Sequence, residues 1–120
     1  MSKGRSGELV RVLVCGGRNY SDRQAVDATL DQLDVAGLIH GGASGADSLG
    51  EQWARCRGVP VEIYRADWQR YGRAAGPIRN QRMIDEGWPD LVVAFPGGKG
   101  TADMVQRAKD TGVRMMELTQ

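Results

Sequence analysis

The chain has 120 residues, with 16 basic against 15 acidic side chains and 41% hydrophobic residues, enough for one domain with its own core and too few for two. A formal charge of +1 argues against whole-surface attraction to nucleic acid or anionic membrane, and two cysteines 41 positions apart make no disulfide framework. No run of about 20 apolar residues exists to span a bilayer, which leaves one compositional oddity, 17 glycines, about twice average usage.

The start, Met1 to Glu8, is polar and has no apolar stretch of signal-peptide type. Residues 1–8 read as a flexible N-terminus, residues 9–120 as the folded domain, and the protein as cytoplasmic. Val10 to Cys15 is a short β-branched run closed by Gly16-Gly17, the pattern of a buried strand with a turn behind it. Ser21 stands three residues before Gln24, a capping-box spacing, and Val26, Leu30 and Leu33 recur at helical intervals up to about Asp34. Gly37 to His40 is a second brief strand, followed by Gly41-Gly42-Ala43-Ser44-Gly45 and a helix marked by Ala46, Leu49, Trp53 and Ala54, with Gly58 as its stop. Val61 to Tyr64 is the third strand candidate.

From Arg65 to Gly76 no periodicity is evident, and a connection of that length in a small domain points to a functional loop. Pro77 suits the first turn of a third helix that runs to about Glu86 with Gly87 as its stop. Leu91 to Phe95 is a continuous apolar strand ending in Pro96-Gly97-Gly98. Thr101 then caps a fourth helix through Met104, Val105 and Ala108, Gly112 ends it, and Val113 to Leu118 forms the last strand. This alternation predicts an α/β fold, a parallel five-stranded sheet covered by helices on both faces.

In such a sheet every strand-to-helix turn lies at the carboxyl edge, where ligands bind. Gly16, Gly17, Gly41, Gly42, Gly45, Gly97, Gly98 and Gly100 all occupy those turns, so 8 of the 17 glycines gather on one edge. Glycine admits a ligand close to the backbone, and the following helix N-terminus offers unpaired N–H groups to an anion, with phosphate the natural candidate. None of the turns matches the dinucleotide fingerprint or the P-loop: Gly97-Gly98-Lys99-Gly100-Thr101 lacks the spacing and lysine placement of the latter, which argues against an ATPase. Charge is uneven as well. Asp22 to Asp34 is net −3, as a solvated helix face would be, whereas Arg65 to Ile84 carries five arginines against one aspartate beside Trp68 and Tyr71, a combination suited to phosphate pairing and base stacking.

Four segments together resemble the YspA, cpYpsA-related branch of the SLOG superfamily, which also holds the DprA-type DNA-processing proteins and the LOG-type phosphoribohydrolases. They are Gly16 to Tyr20 with Asp22; His40 to Asp47; Ala66-Asp67-Trp68 with Gly76 to Met83; and Phe95 to Thr101. The resemblance implies a single Rossmann-like three-layer domain, its five-stranded sheet in the order 3-2-1-4-5, that binds a nucleotide or nucleotide-derived ligand at these motifs. By that likeness Gly97, Gly98, Gly100 and Thr101 would cradle a phosphate, Arg79 and Asn80 would contact phosphate or sugar, Asp47 would bond a ribose hydroxyl or hold its loop, and Arg18 would close the site, with Gly16, Gly17, Gly41, Gly42, Ser44 and Gly45 lining it. Homo-oligomerisation is also implied.

LOG-type hydrolases carry a glutamate three residues after the threonine of this motif; here the position is Met104, which can act neither as acid nor base. Asp103 precedes it, but one residue along a helix turns a side chain by about 100°. Three functions follow: nucleotide binding, as in a signalling-nucleotide sensor; N-glycosidic hydrolysis of a nucleoside monophosphate with a rearranged carboxylate, Asp67 or Asp103; and DprA-like binding of single-stranded DNA by Arg65 to Arg82. Trp68 and Tyr20 are the candidates for base stacking. Asp47 reads more readily as a structural carboxylate, His40 as a hydrogen-bonded structural histidine, Cys15 and Trp53 as core, and Trp88 as a packed loop residue. Nothing calls for a metal or a cofactor.

Overall fold

The computed structural model describes residues 8–119. The flexible segment expected over residues 1–8 falls, but for Glu8, outside the described residues. Five strands, β1 (Leu9–Cys15), β2 (Asp34–His40), β3 (Val61–Ile63), β4 (Leu91–Ala94) and β5 (Arg114–Glu117), form one parallel sheet in the order β3-β2-β1-β4-β5. Between them run α1 (Arg23–Asp31), α2 (Ala46–Cys56), α3 (Trp68–Tyr71), a short 3-10 turn (Gly72–Ala74), α4 (Ala75–Gly87) and α5 (Lys99–Thr111).

Strand alternation explains the layering. Val10, Val12 and Val14 of β1 point to one face, where Val26, Leu30, Trp53 and Ala54 of α1 and α2 meet them; Leu13 and Cys15 point to the other, against Met83 and Ile84 of α4 and Met104, Val105 and Ala108 of α5. A central parallel strand covered on both sides has to be apolar throughout, and Val12, Leu13 and Val14 are fully buried. Each such side chain contributes about 1.5–3 kcal/mol relative to exposure. The chain crosses from edge strand β3 back to β4, so strand order reverses between β1 and β4, and their carboxyl ends lie side by side.

Several boundaries shift from those read in the sequence, each through packing. The first helix ends at Asp31 and not near Asp34, because the backbone from Asp34 onward pairs with β1 from Leu9, extending β2 back over Asp34, Val35 and Ala36. Asp22, not Ser21, caps α1, its Oδ1 accepting from the Ala25 N–H at 3.0 Å. Most of Arg65 to Gly76 is helical: Asp67 accepts from the Arg70 N–H at 3.1 Å and starts the four-residue α3, too short to show a period. Gly87 remains inside α4, where a Cβ would stand 3.2 Å from Ile39 Cδ1. The left-handed residue that ends the helix is Trp88, φ 54°, which is 77% exposed and not packed as expected. Gly98, not Thr101, is the N-cap of α5. Trp53 is core as expected, and its indole N–H donates to Asp31 at 2.8 Å. No helix among the described residues is long and apolar enough to cross a membrane.

Candidate functional site

Three glycine turns meet where the strand order reverses. The Gly17 N–H donates to the Pro96 carbonyl at 2.9 Å, tying the turn after β1 to the turn after β4. The Gly17 carbonyl accepts from the N–H of Ala46 at 3.1 Å, and the Ser44 hydroxyl donates to the Arg18 carbonyl at 3.0 Å, tying the first turn to the one before α2. Close approach of these backbones requires glycine. At Gly45, φ +75°, a Cβ would collide with the Gly17 and Arg18 carbonyls, and at Gly97 it would collide with Thr101 Oγ1 and stand 2.6 Å from the Gly17 nitrogen.

Helix α4 braces this frame from the other face. Arg79 Nη1 donates to the Gly41 carbonyl at 2.7 Å and Arg79 Nε to Asn80 Oδ1 at 3.0 Å. Asn80, 5% exposed, in turn donates through Nδ2 to Asp103 Oδ2 at 2.9 Å and to the Gly100 carbonyl at 3.3 Å. Arg79 and Asn80 thus join the second turn to the third, and burial draws the Arg79 guanidinium down from its usual pKa while the nearby Asp47 opposes that shift.

Asp47 is 6% exposed, and its Oδ2 accepts from the N–H groups of Gly41 at 3.0 Å and Ala43 at 3.2 Å. Burial nevertheless pushes its carboxyl above the ordinary range, against those two bonds and the charge of Arg79. His40, 2% exposed, accepts from the Gly42 N–H at Nδ1 (2.9 Å) and faces Glu51 at Nε2 (2.6 Å), so the carboxylate fixes the tautomer that leaves Nδ1 as acceptor. Glu51 has no counterpart in the sequence reading: it lies 11 residues beyond His40 and comes within reach only because α2 folds back over β2. Burial beside Asp47 and Glu117 pushes the Cys15 thiol up to about 12, so it is neutral and no nucleophile.

The frame encloses a two-lobed cleft. The first lobe, about 710 Å³, is lined by the turns Gly16 to Tyr20 and Pro96 to Thr101 and by Gly41, Asp47, Arg79 and Asn80. The second, about 650 Å³, continues past Arg79 and Lys99 to Gly42, Ser44, Arg65, Trp68, Arg73 and Asp103. Each has the size of a small-molecule site. α5, 13 residues long, points its N-terminus into the first lobe with no side-chain cap. Gly98 and Gly100 differ from the glycines that hold the frame: a Cβ on either would meet nothing within 4 Å. The fold does not need them bare, and the space they leave belongs to the cleft.

Of the sequence-predicted residues, Gly16, Gly17, Arg18, Gly41, Gly42, Ser44, Asp47, Arg79, Asn80, Gly97, Gly98, Gly100 and Thr101 line one lobe or both, and Gly45 stands behind them as the N-cap of α2. Asp103 reaches the second lobe. Although partial burial works the other way, hydrogen bonds from Arg107 (2.7 Å) and Asn80 hold its carboxyl below the ordinary range. Asp67 is exposed, caps α3 and borders a separate depression beside Arg70 and Tyr71. Tyr20 packs its ring on Phe95, centroids 5.4 Å apart, and Trp68 is 57% exposed on the wall of the second lobe. Lys99, which lines both lobes, was missed; it stands at the variable position within the glycine motif. Met104 is 1% exposed among Met83, Ile84 and Val105 in the core, so the residue at the position of the LOG-type glutamate does not face the cleft.

The family described as the YspA, cpYpsA-related SLOG family matches residues 10–71, from β1 through α3. The Gene 61 protein of Mycobacterium phage D29 is 41% identical, over 86% of this chain and 91% of that protein. The likeness to the phage protein runs across most of the chain, and the span matched by the family covers about half of it and holds the first two glycine turns: this chain belongs to the YspA, cpYpsA-related SLOG family.

Proposed function

We propose that the chain binds a nucleotide or nucleotide-derived ligand in the two-lobed cleft, as the sensor of a signalling nucleotide, with a phosphate against Gly97 to Thr101 at the α5 N-terminus. The observation that carries this reading is the open space at Gly98 and Gly100, where a side chain would harm nothing in the protein itself and would obstruct only an incoming ligand. Membership of the family is consistent with a nucleotide-type ligand. Gly16, Gly17, Gly41, Gly42, Ser44 and Gly45 shape the wall, Arg18 and Arg79 supply positive charge, Asn80 and Asp47 set the loops and offer polar atoms to a sugar, and Trp68, more open than Tyr20, offers the stacking face.

A second reading, N-glycosidic hydrolysis, draws on Asp103, an ionised carboxylate on the wall of the second lobe. Against it, Arg107 and Asn80 already occupy that carboxylate, and Asp67 borders a different depression. Thermal-shift screening against a nucleotide panel, followed by chromatography of every hit after incubation, separates the two. Stabilisation with the ligand recovered intact supports a binding protein; released base identifies a hydrolase; absence of any shift across the panel refutes the site. Cytoplasmic location belongs to the same reading, supported by two unbridged cysteines, as does self-association, implied by the likeness to the family.

A further inference from the structure

The two lobes are not electrically alike. The first combines three cations, Arg18, Arg79 and Lys99, with the buried carboxylate of Asp47. The second keeps those three cations, adds Arg65 and Arg73, and has Asp103 as its one carboxylate, itself already paired with Arg107. Among the described residues Arg65 has a single weak bond, to the Gly42 carbonyl at 3.4 Å, and neither Arg73 nor Lys99 has a carboxylate partner. Folded chains ordinarily pair or solvate such groups separately. Here Arg65 and Arg73 line the same lobe as an exposed tryptophan, and Gly76, whose Cβ would stand 3.4 Å from Trp68 Cη2, leaves room for that ring against the first turn of α4.

A nucleoside monophosphate seated at the glycine turns satisfies the first lobe and leaves Arg65 and Arg73 unspent. We infer that the ligand carries two separated phosphate groups, the first at the Gly97 to Thr101 turn and the second held by Arg65 and Arg73, with a ring between them on the face of Trp68. This rests on the proposed nucleotide reading and narrows it to bisphosphorylated or dinucleotide ligands. Guanidinium groups match phosphate oxygens in fork geometry, and an aromatic face between two anion sites sets the spacing.

Titration calorimetry with the four nucleoside 5′-monophosphates, the nucleoside 3′,5′-bisphosphates and the 5′-phosphorylated dinucleotides tests it. At least one doubly phosphorylated compound binds about tenfold to a hundredfold tighter than its monophosphate, the range for one added charge-assisted contact. Arg73→Ala, at an exposed residue with no carboxylate partner among the described residues, removes that advantage and leaves monophosphate affinity within about twofold. Which class gains identifies the second group: a gain by the bisphosphate alone assigns a terminal phosphomonoester to Arg65 and Arg73, and a gain by the dinucleotide assigns a bridging phosphodiester. Equal affinities for mono- and doubly phosphorylated compounds, or an Arg73→Ala loss common to both, overturn the inference while leaving the nucleotide reading intact. Binding by none of the compounds overturns both.

Discussion

Gly98→Asp separates the demands of the fold from those of the ligand. The new side chain enters space in which no atom lies within 4 Å, and position 98 is the N-cap of α5, where aspartate and glycine differ by a few tenths of a kcal/mol. The unliganded protein should therefore melt within about 1 °C of the parent. With ligand the sign reverses. A carboxylate about 4 Å from a phosphate costs about 4 kcal/mol per charge pair at an effective dielectric near 20, roughly a thousandfold in Kd. Unfolding entropy near 2.1 cal/mol/K per residue over 120 residues makes 1 kcal/mol worth about 4 °C. A nucleotide at about a hundred times its Kd stabilises the parent by about 2.7 kcal/mol, or about 11 °C, and the variant by less than 1 °C. Differential scanning fluorimetry with and without the nucleotide reads all four states. A folded Gly98→Asp protein that keeps the full shift refutes a phosphate at this turn, and a variant that melts far below the parent without ligand refutes the claim that the fold does not need glycine there.

Gly45→Ala should behave in the opposite way: left-handed backbone and collision with the Gly17 and Arg18 carbonyls lower stability by about 2–5 kcal/mol in a denaturant titration without any ligand. Asp103 titrates below its ordinary 3.8 in the folded state, so the stability it contributes is present above that value and is lost as pH falls through the folded pKa. Asp103→Asn should flatten the acid limb of Tm against pH between about 5 and 2, and if chromatography shows base release, the same change should stop it while nucleotide binding persists. Trp68→Ala should weaken nucleotide affinity by about 1–3 kcal/mol, measured by calorimetry, with little change in unliganded Tm, since the ring is 57% exposed. Iodoacetamide near pH 8 should label Cys56, which is exposed, and spare Cys15, whose thiol burial holds up to about 12; unfolding should make both react, as counted by intact mass.

The alternation of apolar strands and glycine-stopped helices is enough to predict five parallel strands and the edge on which the glycines gather, because a buried parallel sheet demands continuous apolar runs and its connections demand turns at known places; the order of the strands came with the family resemblance. The residues that line the cleft were legible for the same reason: they lie in or beside those turns. What the chain order could not show was which glycines answer to which need. Gly45, Gly87 and Gly97 are bare because another part of the protein occupies the space beside them, whereas Gly98 and Gly100 are bare with nothing beside them. Only the assembled structure makes that distinction, since the neighbours are 28 to 81 residues away along the chain in cases such as Gly45 against Gly17 and Gly97 against Gly16. The same holds for the left-handed turn at Trp88, for Glu51 against His40, and for the division of the carboxylates, with Asp103 in the cleft and Asp67 outside it. Local pattern determines which elements form; the sign and purpose of a side chain at the site depend on what packs across the sheet from it, and that is settled only when the turns close on one another.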